Sequence, residues 1–334
     1  MKAYNMNLTM FDGITGMMKT DTSELSAEMK TYYDAYLLDN AKPKLVHAQF
    51  GQKRPIPKNK GKSIEFRRYK TLAKALTALT EGVTPEPNKL SVTTVTATVK
   101  QYGDWISLSD MLLLTAIDNN LVEAVSLLGD QAGRTMDTVT REVINAGKNV
   151  LYAPKNGTTP VTSRENLDGT CTLRLATVMK AAAILKGVNA STFENGFVAI
   201  VHPFVAYDLM LDPKWEEWSK YTNPEHMYNG ELGRIGNVRF VESTEAKIWE
   251  KAAASNALSV FSTLVIGKNA YGVTDVEGGG METIVKQKGS AGTADPLNQR
   301  ASAGWKAVKT AVILSDEFMV RIESCSHFAD AKAN

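Results

Sequence analysis

The chain has 334 residues, of which 43% are hydrophobic and 22% charged, and its formal net charge is +2. Single cores usually stop growing at about 250–300 residues, so two structural units are expected, of ordinary globular composition. No apolar run reaches the about 20 residues that span a bilayer. The start, MKAYNMNLTMFDGITGMMK, lacks the apolar stretch and cleavage site of a secretory signal, and two cysteines, Cys171 and Cys325, exclude a disulfide framework or a zinc site by spacing.

Residues 1–20 are Met-rich, include Gly13 and Gly16, and show no clear period, which predicts an extended arm. Asp21 and Glu24 form a capping pair. Leu25, Met29, Tyr32, Tyr33, Tyr36 and Leu37 then mark one stripe of a helix to about Asn40. From Lys42 to Lys74 the chain carries eleven basic residues and one acid, Glu65. Because the whole is nearly neutral, the remainder is correspondingly acidic. Such asymmetry marks a segment that meets nucleic acid, a membrane surface, or the acidic part of another copy.

Within this segment Pro55 and Pro57 favour extended backbone. Ser63 to Tyr69 reads as a strand and Thr71 to Thr80 as a short helix, followed by a loop at Gly82, Pro85 and Pro87. Leu90 to Lys100 is rich in β-branched residues with period 2, placing Val92 and Thr94 on one face and Val95, Ala97 and Val99 on the other. The two strands predict a long hairpin, which is unstable alone and must lie on something else.

Asn120 with Glu123 opens the strongest helix, expected to run to about Val150. Its stripe is Leu121, Val125, Leu128, Ala132, Met136, Val139 and Val143, with Asp130–Arg134 and Asp137–Arg141 as ion pairs on the other side. Gly129 and Gly133 inside it each cost about 1 kcal/mol against Ala, which implies close approach of another backbone. Residues 152–172 are polar and turn-rich, a boundary. Mixed elements follow: helices at 173–186, 203–211 and 213–221, strands at 197–201, 237–241 and 258–266, and loops at Gly278–Gly280 and Gly289–Gly292. Strands return at Trp305 to Leu314 and, after a turn at Ser315 and Asp316, at Glu317 to Glu323, with Phe318, Val320 and Ile322 on one face.

No catalytic constellation emerges. Gly61-Lys62-Ser63 is not a phosphate loop, because Ile56 stands where that motif requires glycine. Gly230, Gly233 and Gly236 lack the spacing of a dinucleotide turn. The histidines His47, His202, His226 and His327 are scattered, and His202 before Pro203 reads as a cap or packing residue rather than the rim of a site. Asp104-Trp-Ile-Ser107 and Trp215-Glu-Glu-Trp218 read as core or interface packing. For nucleic-acid binding the basic segment offers only Phe50, Phe66 and Tyr69 as stacking groups, within no known motif. No catalytic, cofactor-binding or metal residues are expected, and no cofactor.

The order of parts resembles the major capsid proteins of tailed bacteriophages with the Hong Kong 97 fold, an α+β architecture, and within them the phage N4-like branch. The likeness rests on Tyr102-Gly-Asp-Trp-Ile-Ser-Leu-Ser-Asp110, Val201-His-Pro-Phe-Val-Ala-Tyr-Asp208, Gly233-Arg-Ile-Gly-Asn-Val-Arg-Phe-Val-Glu242, and Asp295-Pro-Leu-Asn-Gln-Arg300 leading to Gly304-Trp-Lys306. It spans nearly the whole chain.

The resemblance implies an N-terminal arm and short helix over 1–54, an extended E-loop over 55–104, a peripheral domain over 105–169 and 295–334 with a spine helix at about 121–150, and an axial domain over 170–294. It implies a structural protein, not an enzyme, that forms an icosahedral shell of hexamers and pentamers around double-stranded DNA bound without sequence specificity. Portal, scaffolding and decoration proteins are the other implied partners. No membrane is implied, and the shell is assembled in the bacterial host cytoplasm and found as the virion capsid. An arm that starts at Met1 suggests a separate scaffolding protein or none.

Arg54, Lys58, Lys60, Lys62, Arg67, Arg68, Tyr32 and Tyr36 are the expected inter-subunit contacts. The type member of the fold joins its subunits by Lys–Asn bonds beside a catalytic Glu. Here Lys58, Lys60, Lys62, Lys74, Lys89, Asn88, Glu65, Glu81 and Glu86 show no spacing that singles out such a set, so non-covalent shells are expected. The alternatives are an encapsulin-like cellular nanocompartment and, more remotely, a nucleic-acid-binding protein.

Overall fold

The computed structural model describes Leu37 and residues 45–69, 72–79, 81–84, 86–115, 120–194, 196–215, 231–250, 258–277, 279–290, 295–328 and 333–334. Tyr32, Tyr36 and the arm helix other than Leu37 lie outside these residues, as do His226 and Trp218. In chain order the strands are β1 (Gln52–Lys53), β2 (Ser63–Tyr69), β3 (Val92–Thr98), β4 (Lys100–Ser109), β5 (Val150–Tyr152), β6 (Phe197–Val201), β7 (Glu231–Ile235), β8 (Val238–Glu242), β9 (Ile248–Trp249), β10 (Val260–Ile266), β11 (Tyr271–Asp275), β12 (Glu282–Lys286), β13 (Arg300–Ile313) and β14 (Met319–Ser324). The helices are α1 (Asp110–Thr115), α2 (Asn120–Asn145), α3 (Leu175–Gly187) and α4 (Pro203–Met210).

One sheet is built on β13. Along one edge it pairs antiparallel with β4, from Arg300 opposite Ser109 to Lys309 opposite Lys100. Along the other edge it takes β12 and then β11, and β11 carries β1 in parallel. Alternation aims Ile106 and Leu108 of β4, with Ala303, Trp305 and Ala307 of β13, at Val125, Leu128, Ala132 and Met136 of α2. Gly129 and Gly133 are buried on this helix, and the strand beneath offers alanines. Leu37 joins the same cluster.

The second sheet has the order β5-β14-β10-β6-β8-β7, with β9 beside β10. Its central strand β6, FVAIV, is buried at every position, as expected where both faces are covered. On one face lie α3 and α4, where Leu185, Val205 and Leu209 meet Phe197, Phe240 and Val320. The other face packs on Val46, Phe50, Ile144 and Tyr271. Each such large side chain contributes about 1.5–3 kcal/mol on burial. The segment 45–50, the end of α2 and the start of β11 thus form the joint between the sheets.

Several expectations change. Residues 72–79 are not helical but irregular. The strand expected over Leu90–Lys100 covers only Val92–Thr98, and a second strand, β4, follows after Val99. The spine helix ends at Asn145 rather than Val150, giving a rod of about 39 Å. Arg321 stops it by donating from Nη1 to the carbonyls of Asn145 and Gly147. The Asp316 carboxylate meanwhile takes the Lys148 N–H at 3.0 Å, and the chain turns into β5 beside β14.

Beyond Met136 the buried face of α2 is Asp137, Thr140, Arg141 and Ile144 instead of Val139 and Val143. There the helix leaves the first sheet and enters the polar joint. Asp137 and Arg141 are therefore not a solvent-facing pair. Asp137 binds His47, and Arg141 donates to the Glu245 carbonyl at 2.8 Å and pairs with Glu142 at 2.7 Å.

Candidate interaction surface

The basic segment folds as the expected hairpin, β2 and β3 pairing from Ser63 opposite Thr98 to Tyr69 opposite Val92 in a sheet of these two strands. Its root lies on its own chain rather than having nothing there to lie on. Phe66, 3% exposed, presses on Gly272 of β11. Arg68 reaches Glu317 at 3.8 Å and lies 5.1 Å over the Phe318 ring. Arg54 Nη1 donates to the Glu65 carbonyl at 3.5 Å.

The expected contact residues therefore divide. Arg54 and Arg68 lean on their own chain. Lys58, Lys60 and Lys62 are exposed, and Arg67 lies 3.9 Å from an exposed Glu65, a pairing of little energetic weight. Past the root, Leu72, Leu76 and Leu79 are 53%, 86% and 78% exposed. Three neighbouring leucines in water mark an interaction site.

A second surface runs along α2. A groove of about 680 Å³ lies between β4 and the helix, with Ile106, Leu127, Leu128 and Val139 as its apolar lining. Asp104, Asp130 and Glu245 rim it. The Asp104 carboxylate accepts from Gln131 Nε2 at 2.6 Å and from the Trp105 N–H at 2.8 Å, and these bonds hold its pKa below the usual carboxylate range. Trp305 Nε1 fixes Gln131 in turn, donating to Oε1 at 3.2 Å. Arg134 donates to Glu245 at 2.8 Å, and this bond raises the guanidinium pKa further. Asp104 and Arg134 are thus ionised at neutral pH.

The two surfaces are tied together at the joint. Asp137 Oδ1 accepts the His47 N–H at 2.8 Å, and Oδ2 lies 2.6 Å from His47 Nδ1. The Tyr271 hydroxyl donates to the His47 carbonyl. Burial first, then the Asp137 charge, pushes the Tyr271 pKa well up, so it stays a donor. Sequence reasoning missed this cluster because His47 sits inside a basic run and Asp137 looks like part of a surface ion pair. A central acid that also lies one helical turn from buried Gly133 was the available signal.

The other singled-out residues have structural roles. His202 caps α4, its Nδ1 accepting the Phe204 N–H at 3.2 Å. His327 Nδ1 lies 2.7 Å from Asp208. Trp215 packs edge-on to Phe240 at 5.0 Å. Gly236 and Asn237 turn β7 into β8. Cys171 and Cys325 are buried free thiols, burial pushing Cys325 up to about 12. Among the described residues there is no cluster of three metal-ligating side chains and no helix long and apolar enough to cross a membrane.

A family model described as phage capsid protein matches residues 92–322, from the second strand of the hairpin to β14. The chain belongs to the phage capsid protein family. Among solved structures, the capsid of Ralstonia phage GP4 is similar over 97% of this chain and 98% of its own, with 16% identity and a TM-score of 0.66. The cyanophage Pam1 capsid is similar over 94% and 98%, with 13% identity and a TM-score of 0.62. The capsid of cyanophage P-SCSP1u covers 83% and 87%, with 15% identity and a TM-score of 0.60. Among curated protein sequences none is significantly similar. The structural likenesses establish the Hong Kong 97-like fold, and the family match makes this a capsid protein, a shell-forming structural component rather than an enzyme.

Proposed function

We propose that the chain is the major capsid protein of a tailed phage of the N4-like branch. It is built into hexamers and pentamers in the host cytoplasm and encloses double-stranded DNA that it does not read. The observation that carries this reading is the hairpin: its root is folded on its own chain through Phe66, while its leucine-bearing far part is exposed. The far part of the protrusion, uncovered in one copy, has its burial in the next. Residues 1–54 act as the arm, 55–104 as the E-loop, 105–169 and 295–334 as the peripheral domain, and 170–294 as the axial domain.

Lys58, Lys60, Lys62 and Arg67 face carboxylates of the adjacent copy, where charge steers and registers assembly. Tyr32 and Tyr36 belong to the same set of contacts. Portal and scaffolding or decoration proteins complete the partners. The phage reading is favoured over a cellular nanocompartment by the family match at 92–322. Electron microscopy of the purified chain, alone and co-expressed with its neighbouring phage genes, tests it. Closed shells containing DNA are expected in infected cells. Discrete small oligomers with salt-sensitive DNA affinity would overturn it.

A further inference from the structure

We propose that Lys309 is a modification site, acylated by small acyl thioesters or acyl phosphates, with the acyl group received by an apolar cavity at the joint between the sheets. This stands apart from the capsid reading above and does not depend on it. The cavity, of about 310 Å³, lies where segment 45–50, α2, β11 and β13 meet. Leu45, Met136, Val273, Met281 and Ala307 give it an apolar lining, and Lys309 adds an amine from β13. Small-molecule sites are concavities of this kind, mostly apolar with a few polar groups.

Strand alternation places the amine there. Ala303, Trp305 and Ala307 of β13 face α2, and Lys309 continues the same face. It is half-buried. Asp275 of β11 and Lys100 of β4 stand opposite it in register. Among the described residues none gives its amine a hydrogen bond or a close ion pair. Burial disfavours the charged form and pushes the amine pKa down to about 8 from the ordinary 10.5. The more distant charges of Asp137 on α2 and Asp275 oppose that shift without cancelling it, and Lys53 of β1 adds to it.

An amine attacks only when it is unprotonated. At pH 7 about a tenth of an amine with this pKa is neutral, against less than about a thousandth for an ordinary lysine. The amine nitrogen bonds to the acyl carbon. The bond from that carbon to sulfur, or to the phosphate oxygen, breaks. Thiolate or phosphate leaves, and the amine's proton goes to water. The product is a neutral amide, so the cation without a close partner is gone. A short acyl chain then lies against the apolar lining instead of in water.

The purified full chain is treated with acetyl phosphate and, separately, with butanoyl phosphate, and occupancy at each lysine is read by peptide mass spectrometry. At pH 7 Lys309 is expected to acetylate at least about tenfold faster than the exposed Lys58, Lys60 and Lys62. Its rate should level off above about pH 8 while theirs keep rising. A Lys309 rate no greater than theirs at pH 7 overturns the proposal, whether the amine is held charged or another part of the chain covers it. Butanoyl phosphate is expected to raise the ratio of Lys309 to the three exposed lysines by a further factor of about three or more. An unchanged or lower ratio shows that the cavity does not receive the acyl group, and so overturns the proposal. Met281→Trp, which narrows the cavity, should remove the advantage of Lys309 and leave the exposed lysines as they were; a retained advantage contradicts the cavity's role. Where that variant does not fold, the chain-length ratio in the unsubstituted chain decides.

Discussion

Phe66 of the hairpin and Gly272 of β11 fit so closely that a Cβ on Gly272 would meet the Phe66 Cζ at 2.7 Å. This contact pins the hairpin root, with Arg68 over Phe318 beside it. Gly272→Ala is expected to push the ring out, and Phe66→Ala to remove about 3 kcal/mol of local packing. Both release the hairpin rather than unfold the sheets. Limited proteolysis should cut between residues 54 and 100 far faster, with the thermal midpoint of the remainder little changed. Unchanged cutting refutes the anchor.

Glu323 is buried among cations. Arg164 binds it through Nε and Nη2, both at 2.7 Å, and Arg321 lies at 3.0 Å. The Arg164 guanidinium also stacks 3.9 Å over Trp249. Arg164→Ala leaves the carboxylate short of a partner in the core and is expected to cost about 3 kcal/mol. Adding Glu323→Gln should recover part of that loss in denaturant unfolding of dispersed subunits.

Acid is expected to act in part through His202. Burial pushes its pKa down to about 4 from the ordinary 6.5. Between these values the unfolded chain holds the extra proton, so stability falls as pH drops from 6.5 towards 4 and is fully present above 6.5. Protonation also removes the acceptor for the Phe204 N–H. His202→Asn should flatten this slope, the wild type losing up to about 3 kcal/mol more than the variant across the window. Parallel slopes would dismiss His202 as the cause.

Charge on the hairpin divides into inward and outward groups, so its neutralisation should too. Lys58→Gln, Lys62→Gln and Arg67→Gln together are expected to slow assembly several-fold at low salt and little at 1 M, where the screening length is about 3 Å. Arg68→Gln should instead loosen the hairpin root, because Arg68 faces Glu317 and Phe318 of its own chain. Light-scattering kinetics across the salt range separate the two effects.

Cohesion of the particle is expected to be non-covalent. Mature particles boiled in denaturing detergent should run as one band near 36.4 kDa. A ladder of multiples that survives reductant would contradict this.

The regular strands were legible because their patterns are local. The β-branched alternation of Val92–Thr98, the SIEFRRY strand and the wholly apolar FVAIV strand each state their own geometry. What escaped depended on distant partners. The end of α2 is set by Arg321, some 176 positions away. The Asp137 side of that helix is buried only because His47 comes to meet it. Residues 100–109, interrupted by glycine, aspartate and tryptophan, do not read as a strand, yet the long β13 recruits all ten as its edge. Thr71 to Thr80 reads as a short helix, yet residues 72–79 are irregular in the single chain.

That same uncovered stretch would limit the lifetime of each newly made copy. Between leaving the ribosome and meeting its neighbours, a chain with Leu76 and Leu79 in water is recognisable to any chaperone or protease that samples greasy, unstructured peptide. Dilute chains would be cleared and crowded ones captured by one another. Supply rate, more than affinity, would then decide how much of the protein survives to be used.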